Sequence, residues 1–117
     1  MQKEREIKMK IAIASTGLRF DSGIDQRFAR CTSFVFFDTD SGGVEFFPNP
    51  YKDADFEVGQ KVAALMASKK VSKVIAGDFG IKIKPLLDSN QIQIIVYQDN
   101  KITIQEIISK LTNQYKP

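Results

Sequence analysis

Histidine is absent from this chain, and so is tryptophan. Without histidine, Ser-His-Asp and Cys-His catalysis within one chain are excluded, as are zinc sites that need histidine ligands. The commonest general base and the commonest transition-metal ligand are missing with it. Any metal or anion chemistry must therefore come from other side chains or from the backbone.

Cysteine and long apolar runs are also scarce. Cys31 is the only cysteine, so no disulfide can form within the chain. No apolar run approaches the roughly 20 residues that span a bilayer. Residues 1–8 lack the apolar region of a secretory signal. We therefore expect a cytoplasmic protein with no membrane contact.

The length of 117 residues favours a single domain. We assign that domain to residues 9–117 and predict that residues 1–8 form a flexible extension. The net charge is only +3, so nucleic acid is not expected as a partner. We interpret the lysine clusters at 69–73 and 82–84 as solvated surface, with an anionic partner as the alternative.

Hydrophobic periodicity predicts the order βββαβαβα, hence an α/β fold with a mixed five-stranded sheet and helices on its faces. Thr103 and Glu106 have the spacing of a capping box, and an apolar stripe follows them in the last helix. The first helix contains an unusual glycine, Gly59. The other predicted elements are strands at 9–14, 33–38, 44–47, 71–76 and 92–97, and helices at 55–69 and 81–89.

The segment between the first two strands concentrates polar and reactive side chains where the chain leaves the sheet, which is where α/β proteins bind ligands. As a hypothesis, Cys31 ligates iron, with Arg27 and Arg30 stabilising its thiolate. One cysteine cannot hold a cluster alone, so a second chain, a partner or an exogenous thiol would complete the shell. The alternative is that Cys31 is a small buried hydrophobe.

Three further features have both a functional and a structural interpretation. Arg27 and Arg30 either clamp an anion or form ion pairs with Asp21 or Asp25. The Gly77–Gly80 turn, between a strand and a helix, either binds an anion through its backbone or is only a tight turn. Gly59 either contacts a ligand or permits close helix packing. Alternation along strand 33–38 assigns its aromatic residues to the core rather than to a base-stacking surface.

Several motifs together resemble the dinitrogenase iron–molybdenum cofactor family. They are the Met-Lys-Ile-Ala-Ile-Ala-Ser at 9–15, the Asp-Gln-Arg-Phe-Ala-Arg-Cys at 25–31, the aromatic strand after it, Gly59, and the Gly-Asp-Phe-Gly at 77–80. The resemblance covers about residues 9–111 and implies a ribonuclease-H-like fold in three α/β/α layers. The binding residues that follow from the local chemistry and the resemblance are Asp25, Arg27, Phe28, Arg30, Cys31, Gly59, Gly77 and Gly80, with Cys31 as metal ligand.

The resemblance implies a non-enzymatic, nitrogen-fixation-related carrier that transiently binds an iron–sulfur or iron–molybdenum-type cluster. Its partners would be cluster-assembly proteins or a second copy of itself in a homodimer. The alternative is a regulatory or interaction module that binds a small anion or a protein without a cluster. Arg27 and Ala29, which stand where the family usually has histidine and glycine, favour this alternative. A nuclease is not expected, because the first strand carries no carboxylate for metal ions.

Overall fold

The computed structural model describes residues 9–115, so the predicted extension at 1–8 lies outside the described residues. Five strands and three helices follow in the predicted order. They are β1 (Lys10–Ser15), β2 (Ser33–Asp38), β3 (Val44–Pro48), α1 (Val58–Ser68), β4 (Lys73–Ala76), α2 (Ile83–Ser89), β5 (Gln93–Val96) and α3 (Ile104–Gln114).

The strands form one mixed sheet in the order β3-β2-β1-β4-β5. β2 runs antiparallel to both β1 and β3, whereas β4 runs parallel to β1 and to β5. The predicted α/β class with a mixed five-stranded sheet is therefore confirmed. Because β1, β3, β4 and β5 share one direction, their carboxyl ends lie along the same side of the sheet, called here the carboxyl edge.

Alternation along the strands separates two buried clusters. Ala12 and Phe34 belong to a cluster completed by α1 and α2, whereas Ile13 and Val35 belong to one completed by α3. The aromatic residues of β2 are 0–2% exposed. Their assignment to the core is confirmed.

Three elements start two or three residues later than predicted. α1 begins at Val58 rather than at residue 55, because Glu57 adopts a left-handed conformation with φ of 55° and no side-chain cap. β4 begins at Lys73 rather than at 71, since Lys70, with φ of 59°, turns the chain just before it. α2 begins at Ile83 rather than at 81. Pro85 then falls in the first turn, where no intrahelical N–H is lost.

The capping box of α3 forms as predicted. The Thr103 hydroxyl accepts from the Glu106 N–H, and the Glu106 carboxylate accepts from the Thr103 N–H at 2.9 Å. The stripe that follows is buried from Ile104 to Leu111. Within residues 9–115, no helix has the length and apolar character needed to cross a membrane.

Candidate functional site

The loop from Asp25 to Cys31, called the 25–31 loop, is fixed to the carboxyl edge by main-chain hydrogen bonds. The Asp25 N–H donates to the carbonyl of Ala14, at the end of β1, at 2.8 Å. The Gly77 N–H, just after β4, donates to the Asp25 carbonyl at 2.9 Å, and the Phe28 N–H donates to the Asp78 carbonyl at 3.3 Å. The loop therefore joins the ends of two neighbouring parallel strands.

The side chain of Asp25 is buried under the 25–31 loop and not exposed on its surface. Its Oδ1 accepts from the Arg27 N–H at 2.9 Å and from Arg27 Nε at 3.4 Å. A carboxylate that bonds to the backbone two residues onward stabilises a turn. Asp25 therefore shapes the loop and orients Arg27.

Phe28 anchors the loop in the core. It is 1% exposed, and its ring centroid lies 5.5 Å from that of Phe34 and 4.9 Å from that of Phe79. Tilted ring pairs at this spacing stabilise beyond their buried area. Phe28 thus positions the arginines on either side of it.

Cys31 is fully buried, the position that the alternative interpretation of this residue predicted. Its thiol lies 3.2 Å from the Ser33 carbonyl, to which it donates. Burial, followed by the negative charge of Asp25, raises the pKa of Cys31 to about 12. Stabilisation of a thiolate by Arg27 and Arg30 is not seen in this conformation, because burial keeps the thiol protonated at neutral pH. Its role as a metal ligand stays a prediction.

The two arginines are exposed and have different partners. Arg27 pairs with Asp25, although its side chain remains 61% exposed. Arg30 Nη1 donates to the carbonyls of Lys52 at 3.0 Å and Ala54 at 3.2 Å. Among residues 9–115, no carboxylate neutralises Arg30. The Arg30 charge is therefore available to an anion from outside the chain.

Asp21, the other predicted ion-pair partner, is engaged elsewhere. Its carboxylate accepts from Arg19 Nε at 2.9 Å. The Arg19 guanidinium beside it lowers the pKa of Asp21. Of the four ion pairs predicted between Arg27 or Arg30 and Asp21 or Asp25, only that between Arg27 and Asp25 forms.

Two depressions meet at Arg30. The loop depression, of about 340 Å³, is lined by Gln26, Arg27, Phe28, Ala29, Arg30, Asp78, Phe79 and Gly80. The interhelix cleft, of about 650 Å³, is lined by Arg30, Asp55, Glu57, Val58, Gly59, Gln60, Lys82, Pro85 and Leu86. The structure therefore brings Arg27, Phe28, Arg30 and Gly80 around one depression and places Gly59 in the other. Asp25, Cys31 and Gly77 line neither.

The three glycines that were predicted as binding residues differ in what a side chain at each position would contact. A methyl group at Gly77 would collide with the Gln26 amide, so this glycine lets the side chain of Gln26 lie across the turn. A methyl group at Gly59 would lie 3.3 Å from Leu86 Cδ1, which indicates close packing of α1 against α2. At Gly80 no atom lies within 4 Å of such a methyl group. Gly80 thus leaves the wall of the loop depression open.

Asn49, which no sequence pattern identified as a site residue, supports the loop from below. Asn49 is 8% exposed, and its Nδ2 donates to the carbonyls of Ala29 at 2.9 Å and Cys31 at 3.0 Å. An asparagine between two prolines is a local signal that could have identified it. Lys82 was also missed as a site residue, having been assigned to solvated surface, although it lines the interhelix cleft with Arg30.

The side chains around the 25–31 loop favour binding an anion by charge over coordinating a metal ion. Across the described part of the chain, no group of three or more His, Cys, Asp or Glu side chains could hold a metal ion. Two exposed arginines, Arg27 and Arg30, instead line the loop depression. Arginine presents a fixed fork of N–H donors that suits anions.

Comparisons with known proteins agree with this fold. The family model described as dinitrogenase iron–molybdenum cofactor matches residues 8–114. A NifB-like protein of Thermotoga, of the DUF35 family, is 31% identical, with a TM-score of 0.76 over 92% of this chain and 90% of that one. No curated protein matches the chain significantly.

Two other solved structures share the fold at lower identity. The apo form of the orange protein of Desulfovibrio gigas is 21% identical, with a TM-score of 0.80 over 93% of this chain and 91% of that one. A dinitrogenase-like protein of Methanocaldococcus jannaschii is 17% identical, with a TM-score of 0.62 over 94% of this chain and 90% of that one.

Proposed function

This chain belongs to the dinitrogenase iron–molybdenum cofactor family, and from that membership we propose that it is a non-enzymatic carrier of an anionic metal–sulfur cluster. The family associates the chain with the handling of metalloclusters. The observation that carries the proposal is the pair of exposed arginines facing one depression at the carboxyl edge. The cluster is cargo, received from and passed to cluster-assembly proteins.

The cargo is held mainly by charge. The Arg27 side chain is 61% exposed, and Arg30 has no carboxylate partner among residues 9–115. Charge-assisted hydrogen bonds from guanidinium are short and about twice as strong as neutral ones. Sulfide-rich clusters present anionic sulfur to such donors. Weak coordination also suits a carrier, because a cargo bound by few protein ligands can be released to a partner.

Cys31 contributes a metal bond only when the loop opens. The thiol must leave the Ser33 carbonyl and lose its proton, which the buried position opposes. Contact with solvent and with the arginines would lower the pKa of the exposed thiol. A partner protein, a second chain or an exogenous thiol then supplies the remaining ligands. Closed and open loops would thus correspond to free and loaded carrier.

Anaerobic reconstitution with iron and sulfide tests the carrier proposal. We expect wild-type protein to bind both ions stoichiometrically, and the double variant R27Q/R30Q to bind them at least about tenfold more weakly, since each charged hydrogen bond is worth roughly 1.5–3 kcal/mol. R19Q is the matched control, because Arg19 is an exposed arginine outside both depressions and pairs with Asp21. Equal loading of the double variant and R19Q would contradict a charge-held cargo.

In the same assay, the C31S variant distinguishes coordination of iron by Cys31 from binding of the cluster by charge. Loss of iron from C31S indicates coordination through an opened loop. Unchanged iron in C31S, with loss in R27Q/R30Q, indicates binding by charge alone. Either result leaves the site at the carboxyl edge.

A second candidate function is an interaction module that binds a small anion without a cluster. The buried, protonated thiol and the lack of a metal-ligating group among the described residues favour it. The discriminating result is wild-type protein that takes up no iron or sulfide but binds molybdate or inorganic phosphate in an Arg30-dependent way. Calorimetry with wild-type, R30Q and R19Q protein measures this directly.

A further inference from the structure

The two edges of the sheet differ in how they are protected against pairing with a strand of another chain. An unprotected edge strand offers free N–H and C=O groups to another strand, and proteins block this with charged residues or proline. At one edge, β3 carries the exposed Glu45 and ends in Pro48. Lys69 covers this strand, with Nζ 3.6 Å from the Glu45 carboxylate and 4.6 Å from the centre of the Phe47 ring.

The other edge, β5, has neither device. Residues 92–98 read Ile-Gln-Ile-Ile-Val-Tyr-Gln, with no charge and no proline. Val96 is 48% exposed. A short uncharged segment of high β-propensity is the kind that pairs with a copy of itself.

The free hydrogen-bonding groups of β5 can be assigned. The N–H groups of Gln93 and Tyr97 donate inward to Ser72 and Ala76, on the β4 side, at 2.9 Å each. Because successive residues of a strand point their backbone groups to opposite sides, Ile94 and Val96 direct theirs away from β4. The edge therefore has two N–H and two C=O groups that point away from the sheet.

We propose that a second copy of this chain pairs with β5 in antiparallel orientation about a two-fold axis through Ile95. In this register Ile94 of each copy lies opposite Val96 of the other. Residues opposite each other in a hydrogen-bonded antiparallel pair exchange both N–H···O bonds. The four outward groups of each strand are then satisfied, giving four intermolecular hydrogen bonds. A self-complementary patch of this kind generates a closed dimer.

A groove beside β5 accommodates the side chains of the second copy. It measures about 510 Å³ and lies between α2 and β5, lined by Lys84, Pro85, Asp88, Ile92, Gln93 and Ile94. Opposite residues of an antiparallel pair project to the same face. The exposed Val96 of one copy therefore lies beside Ile94 of the other, at the groove.

The charges near β5 are balanced at both of its ends. Lys84 and Asp88 lie on α2 next to the start of the strand, and Asp99 and Lys101 follow its end. Antiparallel pairing brings the end of one strand to the start of the other. Each junction then combines two acidic and two basic side chains, so like-charge repulsion does not oppose the dimer.

The expected dimer is weak, because four-residue strands bury less than the roughly 800 Å² per partner of a standard interface. Sedimentation velocity from about 10 µM to about 1 mM should therefore show a mass that rises from 13.2 kDa toward twice that value. We expect V96K to stay monomeric at every concentration, because it places a lysine in the pairing edge. V44K, with the same change on β3, should behave like wild type.

A crosslinking test checks the register and does not depend on V96K. In the variant C31S/I95C the two introduced thiols face each other across the two-fold axis, with Cβ atoms roughly 4.5–5.5 Å apart. Oxidation should give a disulfide-linked dimer, whereas C31S/I94C should crosslink far less. A wild-type mass of 13.2 kDa at about 1 mM, a dimer unaffected by V96K, or equal crosslinking at 94 and 95 would overturn the proposal.

Discussion

The buried thiol of Cys31 makes the folded state sensitive to alkaline pH. Its pKa is raised from the ordinary value of 9.0 to about 12, chiefly by burial. Above pH 9 the unfolded chain loses this proton whereas the folded chain keeps it. The stabilisation is thus complete below pH 9 and is lost as the pH rises toward 12.

The magnitude follows from the difference between the two pKa values. At pH 10 the loss is about 1.4 kcal/mol, and at pH 11 it is about 2.7 kcal/mol, since each pH unit between the two pKa values contributes about 1.36 kcal/mol. These losses are large against the 5–15 kcal/mol that stabilises a typical domain. Tyrosine and lysine also titrate in this range, so the effect must be measured against a chain without the thiol.

The assay is urea unfolding of wild-type protein and C31A between about pH 7 and pH 11. We expect the wild-type free energy of unfolding to fall below that of C31A by the stated amounts, relative to their difference at pH 7. Alkylation by iodoacetamide at pH 8 should be slow in folded protein and fast in urea. A constant difference between the two proteins across this pH range, together with rapid alkylation of folded protein, would refute a buried protonated thiol.

Three further predictions concern stability. F28A should lower the free energy of unfolding by about 3–5 kcal/mol, because it removes a 1% exposed ring from contact with two others. T103A should cost about 1 kcal/mol through loss of the capping box, and Q105A, on the exposed side of α3, should cost less than about 0.5 kcal/mol. G42A should cost about 1 kcal/mol because Gly42 has φ of 78°. Urea unfolding at neutral pH measures all three, and an F28A cost below that of T103A would contradict the anchoring role of Phe28.

Local signals explain which parts of the fold were predictable. The start and buried stripe of α3 depend on residues within four positions of one another, so the sequence pattern identifies both. The predicted start of α1 was wrong because Glu57 adopts a left-handed conformation that its residue type does not favour. Alternation in β2 assigned its aromatic residues correctly, since burial on both faces of the sheet leaves little choice.

The position of the 25–31 loop was predictable from the sequence, but its electrostatics were not. Placement of the 25–31 loop follows from strand order alone. The protonated state of Cys31 depends on its burial and on the Ser33 carbonyl to which the thiol donates, details of packing that no motif at 25–31 encodes. Arg30 is held by carbonyls 22 and 24 residues away, a long-range pairing that spacing cannot reveal.

The main-chain anchoring of the 25–31 loop separates its shape from its outward side chains. Three backbone hydrogen bonds to the strand ends, the buried Phe28 ring and the Asn49 amide hold the loop, and none of these contacts involves the side chains of Gln26, Arg27 or Ala29. Exchanging the exposed Gln26 and Arg27 should therefore alter what the loop presents to a ligand, with only the Arg27–Asp25 pair lost from the fold, whereas Ala29 packs against the core. On the proposed function, the loop is a recognition element on a constant frame, which would let one fold acquire different cargoes by changes at a few positions.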